Sequence, residues 1–220
     1  ISSYKFDGKG GNGAPENTHI FPLPDSFRGK YAGNNTGKLY ANEVEKCIEN
    51  IHKKGSNVCA FIIEPIISCG GQIELPEGFL AQSYKLIRKT GGVCISDEVQ
   101  TGCGRLGKSF WGFQLHNVIP DIVTIGKPLG NGHPIAAVAC TQEIADKFAK
   151  GMEYFNTFGG NPVSCAIATE VLKTVKRENL QENALKVGDF LKNELKLLAK
   201  DFPIIGDVRG QGLFLGIELV

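Results

Sequence analysis

Long apolar runs are missing from this sequence: none approaches the ~20 residues that cross a bilayer, so no membrane partner is expected. Charge of one sign is missing as well. The 24 basic and 23 acidic residues leave a formal charge of +1, without long like-charge runs, and this removes the electrostatic footprint of a nucleic-acid binder. The seven cysteines (47, 59, 69, 94, 103, 140 and 165) are odd in number and contain no C-x-x-C pair, so a disulfide framework is not expected and a reducing compartment is. His19, His52, His116 and His133 have no zinc-type spacing, which leaves them as isolated polar side chains and predicts no metal. The opening ISSYKFDGKGGNG has no apolar core, so it is not a signal peptide. What survives is a soluble, cytoplasmic protein that acts on a small molecule. The chain opens without Met and closes on GLFLGIELV, a run that looks like a strand stopped before its partners, so it is expected to be part of a longer polypeptide.

What is present is enough apolar material, 42% of 220 residues, for a large core. Residues 1–38 are rich in Gly, Asn and Pro and read as a long ordered connection. Val44, Cys47, Ile48 and Ile51 recur at i, i+3, i+4, i+7 and predict a helix over 41–54, closed by Gly55. A second helix is predicted over 76–90, with Pro76 near its start, Leu80, Tyr84 and Ile87 on one face and Gly91-Gly92 at its end. VCAFII (58–63), VCIS (93–96), IVTI (122–125) and IAAVAC (135–140) read as strands apolar on both faces. Their alternation with helices predicts an α/β fold, a mainly parallel sheet with helices on both faces. Pro162 opens a helix carrying Val163, Ile167, Val171 and Val175, and a further helix carries Val187, Leu191, Leu195 and Leu198. GDVRGQGLFLGIELV reads as a strand of a second module. The boundary is placed near Lys176, giving a large domain over 1–176 and the start of a smaller C-terminal α+β domain over 177–220.

Three of the strands run into ionisable residues: Glu64, Asp97 and Lys127. In open α/β sheets the carboxyl ends of parallel strands line the ligand crevice, so these groups should converge. Each alone has a plainer reading, as a solvated strand end, a turn residue or a strand stop. Together they mean more. A lysine in such a crevice can attack a carbonyl to form a Schiff base, and an aspartate on the adjacent strand suits a pyridinium nitrogen, which points to pyridoxal phosphate. Gly126, Gly130 and Gly132 permit close approach of a ligand. A rival pattern, Gly102-x-Gly104-x-x-Gly107, formally matches a dinucleotide fingerprint. The following KSFWGFQLHNVIPD lacks helical periodicity, however, which argues against a nucleotide-dependent oxidoreductase.

The blocks IIEP, SDEVQTGCGRLG, IVTIGKPLGNGHP and NTFGGNPVSC, in that order, resemble the signatures of class III aminotransferases, the fold-type I pyridoxal phosphate enzymes. The resemblance spans nearly the whole chain. It implies that 1–176 is part of a cofactor-binding large domain and that Lys127 forms the Schiff base and moves the proton at the substrate carbon. It also implies that Asp97 pairs with the pyridine nitrogen, Val99 packs on the ring and Gln100 bonds near the 3′-oxygen. Thr157 would reach the phosphate of the cofactor in a neighbouring subunit, which implies a homodimer, and Glu64 would support the site. Many ω-amino-acid aminotransferases of this class carry I-Q-G-E-G-G after Glu-Pro, where this chain has IISCGG with Cys69 at the glutamate's place. SCGGQ, SSYKFDG, PLPDSFRGKY, GKPLGNGHP and GMEYFNTFGGNPVSC look more like the phospho-lyase branch, which acts on phosphoethanolamine or phosphohydroxylysine. The implied function is β-elimination of phosphate and ammonia from a small primary amine, with ω-amino acid transamination or a noncatalytic scaffold as alternatives. Arg28, Lys30 and Arg105 are candidate cations for a substrate phosphate. Phe110, Trp111 and Phe113 are expected in core or interface packing, and Cys69 and Cys103 are expected to be inert thiols.

Overall fold

The computed structural model describes residues 3–220; Ile1 and Ser2, the first residue of the SSYKFDG block, lie outside the described residues. A short helix, α1 (Ser3–Asp7), leads into an irregular connection and then α2 (Gly37–Lys53). The connection is ordered by buried polar contacts: Tyr40 donates to the Asp25 carbonyl at 2.8 Å and accepts from the Tyr31 N–H at 3.0 Å. α2 starts four residues earlier than its apolar spacing predicts. The reason lies at Gly37, where a Cβ would come within 1.9 Å of the Glu77 carbonyl oxygen; glycine lets the first turn tuck against that loop. At the other end Gly55, with φ 76°, donates to the His52 carbonyl and closes the helix as expected.

The chain continues through β1 (Ala60–Ile63), a small hairpin of β2 (Ile66–Ile67) and β3 (Ile73–Glu74), α3 (Phe79–Lys89), β4 (Val93–Asp97), β5 (Ile122–Ile125) and β6 (Ala137–Cys140). The main sheet has the order β1-β4-β5-β6, with β1, β4 and β5 parallel and β6 antiparallel at the edge. The fold is α/β with a mostly parallel sheet, as the alternation of elements predicts. Phe61, Ile63 and Cys94 pack with Tyr40, Val44 and Ile48 of α2 and Phe79, Leu80, Tyr84 and Ile87 of α3. Fully burying a large apolar side chain contributes about 1.5–3 kcal/mol, so this cluster anchors the sheet. The alternate residues Ile62, Ile95 and Ile122 are half-buried and β6 is exposed, so the helices of this cluster cover one face.

α4 (Gln142–Ala149), α5 (Pro162–Arg177), α6 (Leu180–Asp201), β7 (Ile205–Gln211) and β8 (Phe214–Leu219) complete the chain. Pro162 occupies the first turn of α5 as predicted, and Asn161 caps it by accepting the Ser164 N–H at 3.0 Å. Ala168 of α5 packs with Ile125, Leu129 and Cys103 on the Cys94 face. α6 differs from its sequence reading: Val187, Leu191 and Leu198 are exposed, and the buried residues are Ala184 and Gly188. Small side chains let this helix approach the β7–β8 turn closely. The closing segment is a hairpin rather than one strand, and the buried Arg209 binds it to the turn after β2 by donating to the Gly71 carbonyl at 2.8 Å while pairing with Asp207 and Glu218. Among the described residues no helix is long and apolar enough to cross a membrane.

Candidate functional site

Strand register brings the three charged strand ends to one edge. Asp97, the last residue of β4, pairs in register with Thr124 of β5, so both side chains leave the sheet on the same face. Ile63 pairs with Ser96, which puts Glu64 one step on, level with Asp97. Lys127 follows two residues after β5 and opens a tight 3₁₀ turn, Lys127–Leu129, with its side chain exposed and Leu129 buried. Its φ of 26° is a left-handed conformation that L-residues adopt at a cost. Val99 sits beside this turn, since a Cβ on Gly126 would lie 3.5 Å from both its methyls. Register and this approach put Asp97, Val99 and Lys127 at one edge of the sheet, with Gln100 next in the chain and half-buried.

The segment after Asp97 is a series of turns and not a helix, so the glycine pattern at 102–107 does not open a dinucleotide-type helix. Asp97 accepts the Val99 N–H at 3.1 Å. Glu98 is fully buried. One of its carboxylate oxygens accepts from the Ser96 hydroxyl (3.2 Å) and the Phe113 N–H (2.9 Å); the other accepts from the Thr101 hydroxyl (2.7 Å) and the Gly112 N–H (2.8 Å). The sequence reading passed over Glu98, whose signal was the pair of hydroxyl residues flanking it at 96 and 101. Glu64 takes both the N–H and the hydroxyl of Ser68, and Cys69 beside it is exposed. His116 is bound, not isolated: its Nε2 donates to the Pro65 carbonyl at 2.9 Å, and burial depresses its pKa despite that bond. Burial also pushes the Cys103 thiol up to about 11, which keeps it inert.

Two of the candidate phosphate cations are already paired. Arg28 meets Glu218 at 3.1 Å, and Lys30 meets Glu43 at 2.8 Å; Lys30, Lys46 and Tyr31 together hold the Glu43 carboxyl down to about 2. Arg105 lines a groove of about 630 Å³ with Pro128, Asn131 and the Ile167, Val171 and Val175 face of α5. Thr157 is carried on the loop between α4 and α5, where residues 151–160 are all exposed, and not on a strand end.

The donor set suits an aldehyde-bearing heteroaromatic cofactor. A carboxylate ends β4, an amine follows β5, and the buried Thr124 hydroxyl between them, on the carboxylate's face, has no hydrogen-bond partner among the described residues. A buried hydroxyl left unpaired is unfavourable unless a ligand or water completes it. Residues that could hold such a group are therefore Asp97, Thr124, Lys127 and the apolar Val99. Among the described residues no His, Cys, Asp and Glu cluster could hold a metal ion.

The sequence profile described as "Aminotransferase class-III" matches residues 8–220. An alanine–glyoxylate aminotransferase 2-like protein of Drosophila melanogaster is 50% identical, covering 100% of this chain and 46% of its own length. The mitochondrial alanine–glyoxylate aminotransferase 2 of Homo sapiens is 44% identical with the same coverage. A solved phospholyase from Arthrobacter, in complex with phosphoethanolamine, superposes with a TM-score of 0.81 at 40% identity, covering 84% of this chain and 44% of that one. The chain spans about half the length of the curated relatives it matches. Signature blocks, strand-end geometry and these likenesses agree, and the chain belongs to the class-III aminotransferases, a family of pyridoxal-phosphate-dependent enzymes.

Proposed function

We propose that this chain, with 1–176 as part of the large domain and 177–220 as the start of a smaller one, holds the reacting end of pyridoxal phosphate in a phospho-lyase. Its substrate class is a small phosphorylated amino alcohol. With phosphoethanolamine and water as reactants, acetaldehyde, ammonia and phosphate are the products. When bound, the cofactor supplies an electron-withdrawing ring that stabilises negative charge on the substrate carbon. Lys127 would hold the cofactor through its amine at the aldehyde carbon and would move the proton at the substrate's reacting carbon. The Asp97 carboxylate accepts from the protonated ring nitrogen and keeps it charged. Val99 lies against the ring and excludes water from one side, Gln100 bonds near the 3′-oxygen, and Glu64, held by Ser68, supports the edge beside Asp97. Thr157 serves the phosphate of the cofactor in a partner subunit of a homodimer.

The observation that carries the cofactor reading is the in-register pairing of Asp97 with Thr124, three residues before Lys127. The branch reading is supported by Cys69, which by the resemblance stands where many ω-amino-acid aminotransferases carry a glutamate. Transamination is the second reading, and it is favoured by the names of the fly and human relatives. Seven free cysteines support a reducing compartment, which we take to be the cytoplasm; the human relative's name says mitochondrial, and fractionation distinguishes the two. Lys127→Ala is expected to abolish the cofactor's borohydride-sensitive absorbance and to lower turnover by at least about 10³-fold; an unchanged spectrum rejects the role given to Lys127. Phosphate and ammonia released from phosphoethanolamine without any keto acid support the lyase, and conversion of an added keto acid into its amino acid, with neither ammonia nor phosphate set free, supports transamination.

A further inference from the structure

The histidine in GKPLGNGHP is tied to the start of α5. His133 Nε2 lies 2.8 Å from the Ser164 hydroxyl, which also accepts from Asn161 Nδ2 at 3.0 Å. On one side of this pair, backbone bonds run back to the lysine: His133 N–H to the Gly130 carbonyl at 2.9 Å, and Gly130 N–H to the Lys127 carbonyl at 3.1 Å. The turn has no slack. A Cβ on Gly130 would come within 2.0 Å of the His133 carbonyl oxygen. On the other side Asn161 Nδ2 donates to the Phe158 carbonyl at 2.8 Å, while Asn156 Oδ1 accepts the N–H groups of Phe158 and Gly159 at 3.0 and 2.7 Å. Thr157 sits inside that last ring of bonds. An unbroken series of hydrogen bonds therefore joins the Lys127 turn to the Thr157 loop, and the His133–Ser164 contact is its one link between side chains distant in sequence. Ser164 is buried and His133 half-buried, so the contact is shielded from competing water.

We propose that His133 and Ser164 are positioning residues that couple the two segments, so that ordering of the Lys127 turn orders the Thr157 loop. Neither touches the reacting atoms. The consequence rests on the function proposed above: if Lys127 anchors one subunit's cofactor and Thr157 serves the partner's, loading one site prepares the other, and cofactor uptake is cooperative. Coupling along such a chain of contacts is read by a double-mutant cycle.

Amide hydrogen exchange on the cofactor-free protein tests the link without any activity. His133→Ala and Ser164→Ala are each expected to speed exchange at Phe158 and Gly159 about fivefold, the factor of one lost side-chain hydrogen bond, and the double variant to go no further. His133→Gln, whose amide can still meet the hydroxyl, restores part of the protection. Additive effects of the two substitutions, or none, overturn the proposal. Ser164→Ala keeps the backbone N–H that Asn161 caps, so loss of α5 does not confuse the result. In a Thr157→Ala background, which removes the direct contact to the partner's cofactor, added pyridoxal phosphate should protect both 127–133 and 156–161, and with His133→Ala also present 127–133 alone; equal protection of both segments in that double variant also overturns it. If the cofactor protects neither segment of the parent protein, the cofactor reading fails instead, and the cofactor-free cycle still decides whether the segments are coupled.

Discussion

Each oxygen of the Glu98 carboxylate receives one hydroxyl and one backbone N–H, so an amide nitrogen in either place sets N–H against N–H. Glu98→Gln, nearly identical in shape, is therefore expected to destabilise the fold by about 2–3 kcal/mol. The shift should appear in the urea midpoint, with a matching change in the emission of Trp111, the sole tryptophan, which adjoins Gly112. An unchanged midpoint would show that Glu98 is dispensable to the turn carrying Val99 and Gln100. This residue also marks where reading from sequence stops. Asp97 and Lys127 were legible because each ends an apolar strand, where a charge is conspicuous. Glu98 was signalled only by the hydroxyls at 96 and 101 and Thr124 by nothing in the string; burial sets them apart, the one fully satisfied, the other left without a partner among the described residues.

Among the elements, the strands and helices of the sheet were readable from period and punctuation, and their ends fall within a few residues of prediction. The direction of β6 was not, because side-chain alternation is the same in parallel and antiparallel strands. The helix of α6 was readable but its packing face was not, for a different reason. Its large residues suggested the packing face, yet close approach to the β7–β8 turn selects the smallest ones. A Cβ on Gly188 would fall 2.1 Å from the backbone oxygen of Gly212, an atom that cannot swing aside. Gly188→Ala should thus lower stability by about 1–3 kcal/mol through overpacking, although alanine is the better helix former by ~1 kcal/mol. A thermal melt that rises in this variant would mean that the turn yields easily and that α6 is not seated by this contact.

Across the whole molecule, the proposed assembly makes a prediction that no single variant can. Met152, Phe155 and Phe158 surround Thr157 and are all strongly exposed, as side chains of a contact surface between subunits would be in an isolated chain. If Thr157 works across that surface, Lys127→Ala and Thr157→Ala homodimers are both impaired, while a mixed dimer has one site carrying both changes and one carrying neither. Mixing under exchange conditions should restore up to about half of parental turnover per hybrid. No recovery, with hybrids demonstrated by mass, would place Thr157 in its own subunit's site. The left-handed backbone at Lys127 has a further consequence. Glycine there would ease the chain by about 1 kcal/mol and remove the amine, so at this residue heat resistance and reactivity are opposed. Selection for thermal endurance alone would favour losing the side chain from which the proposed chemistry starts.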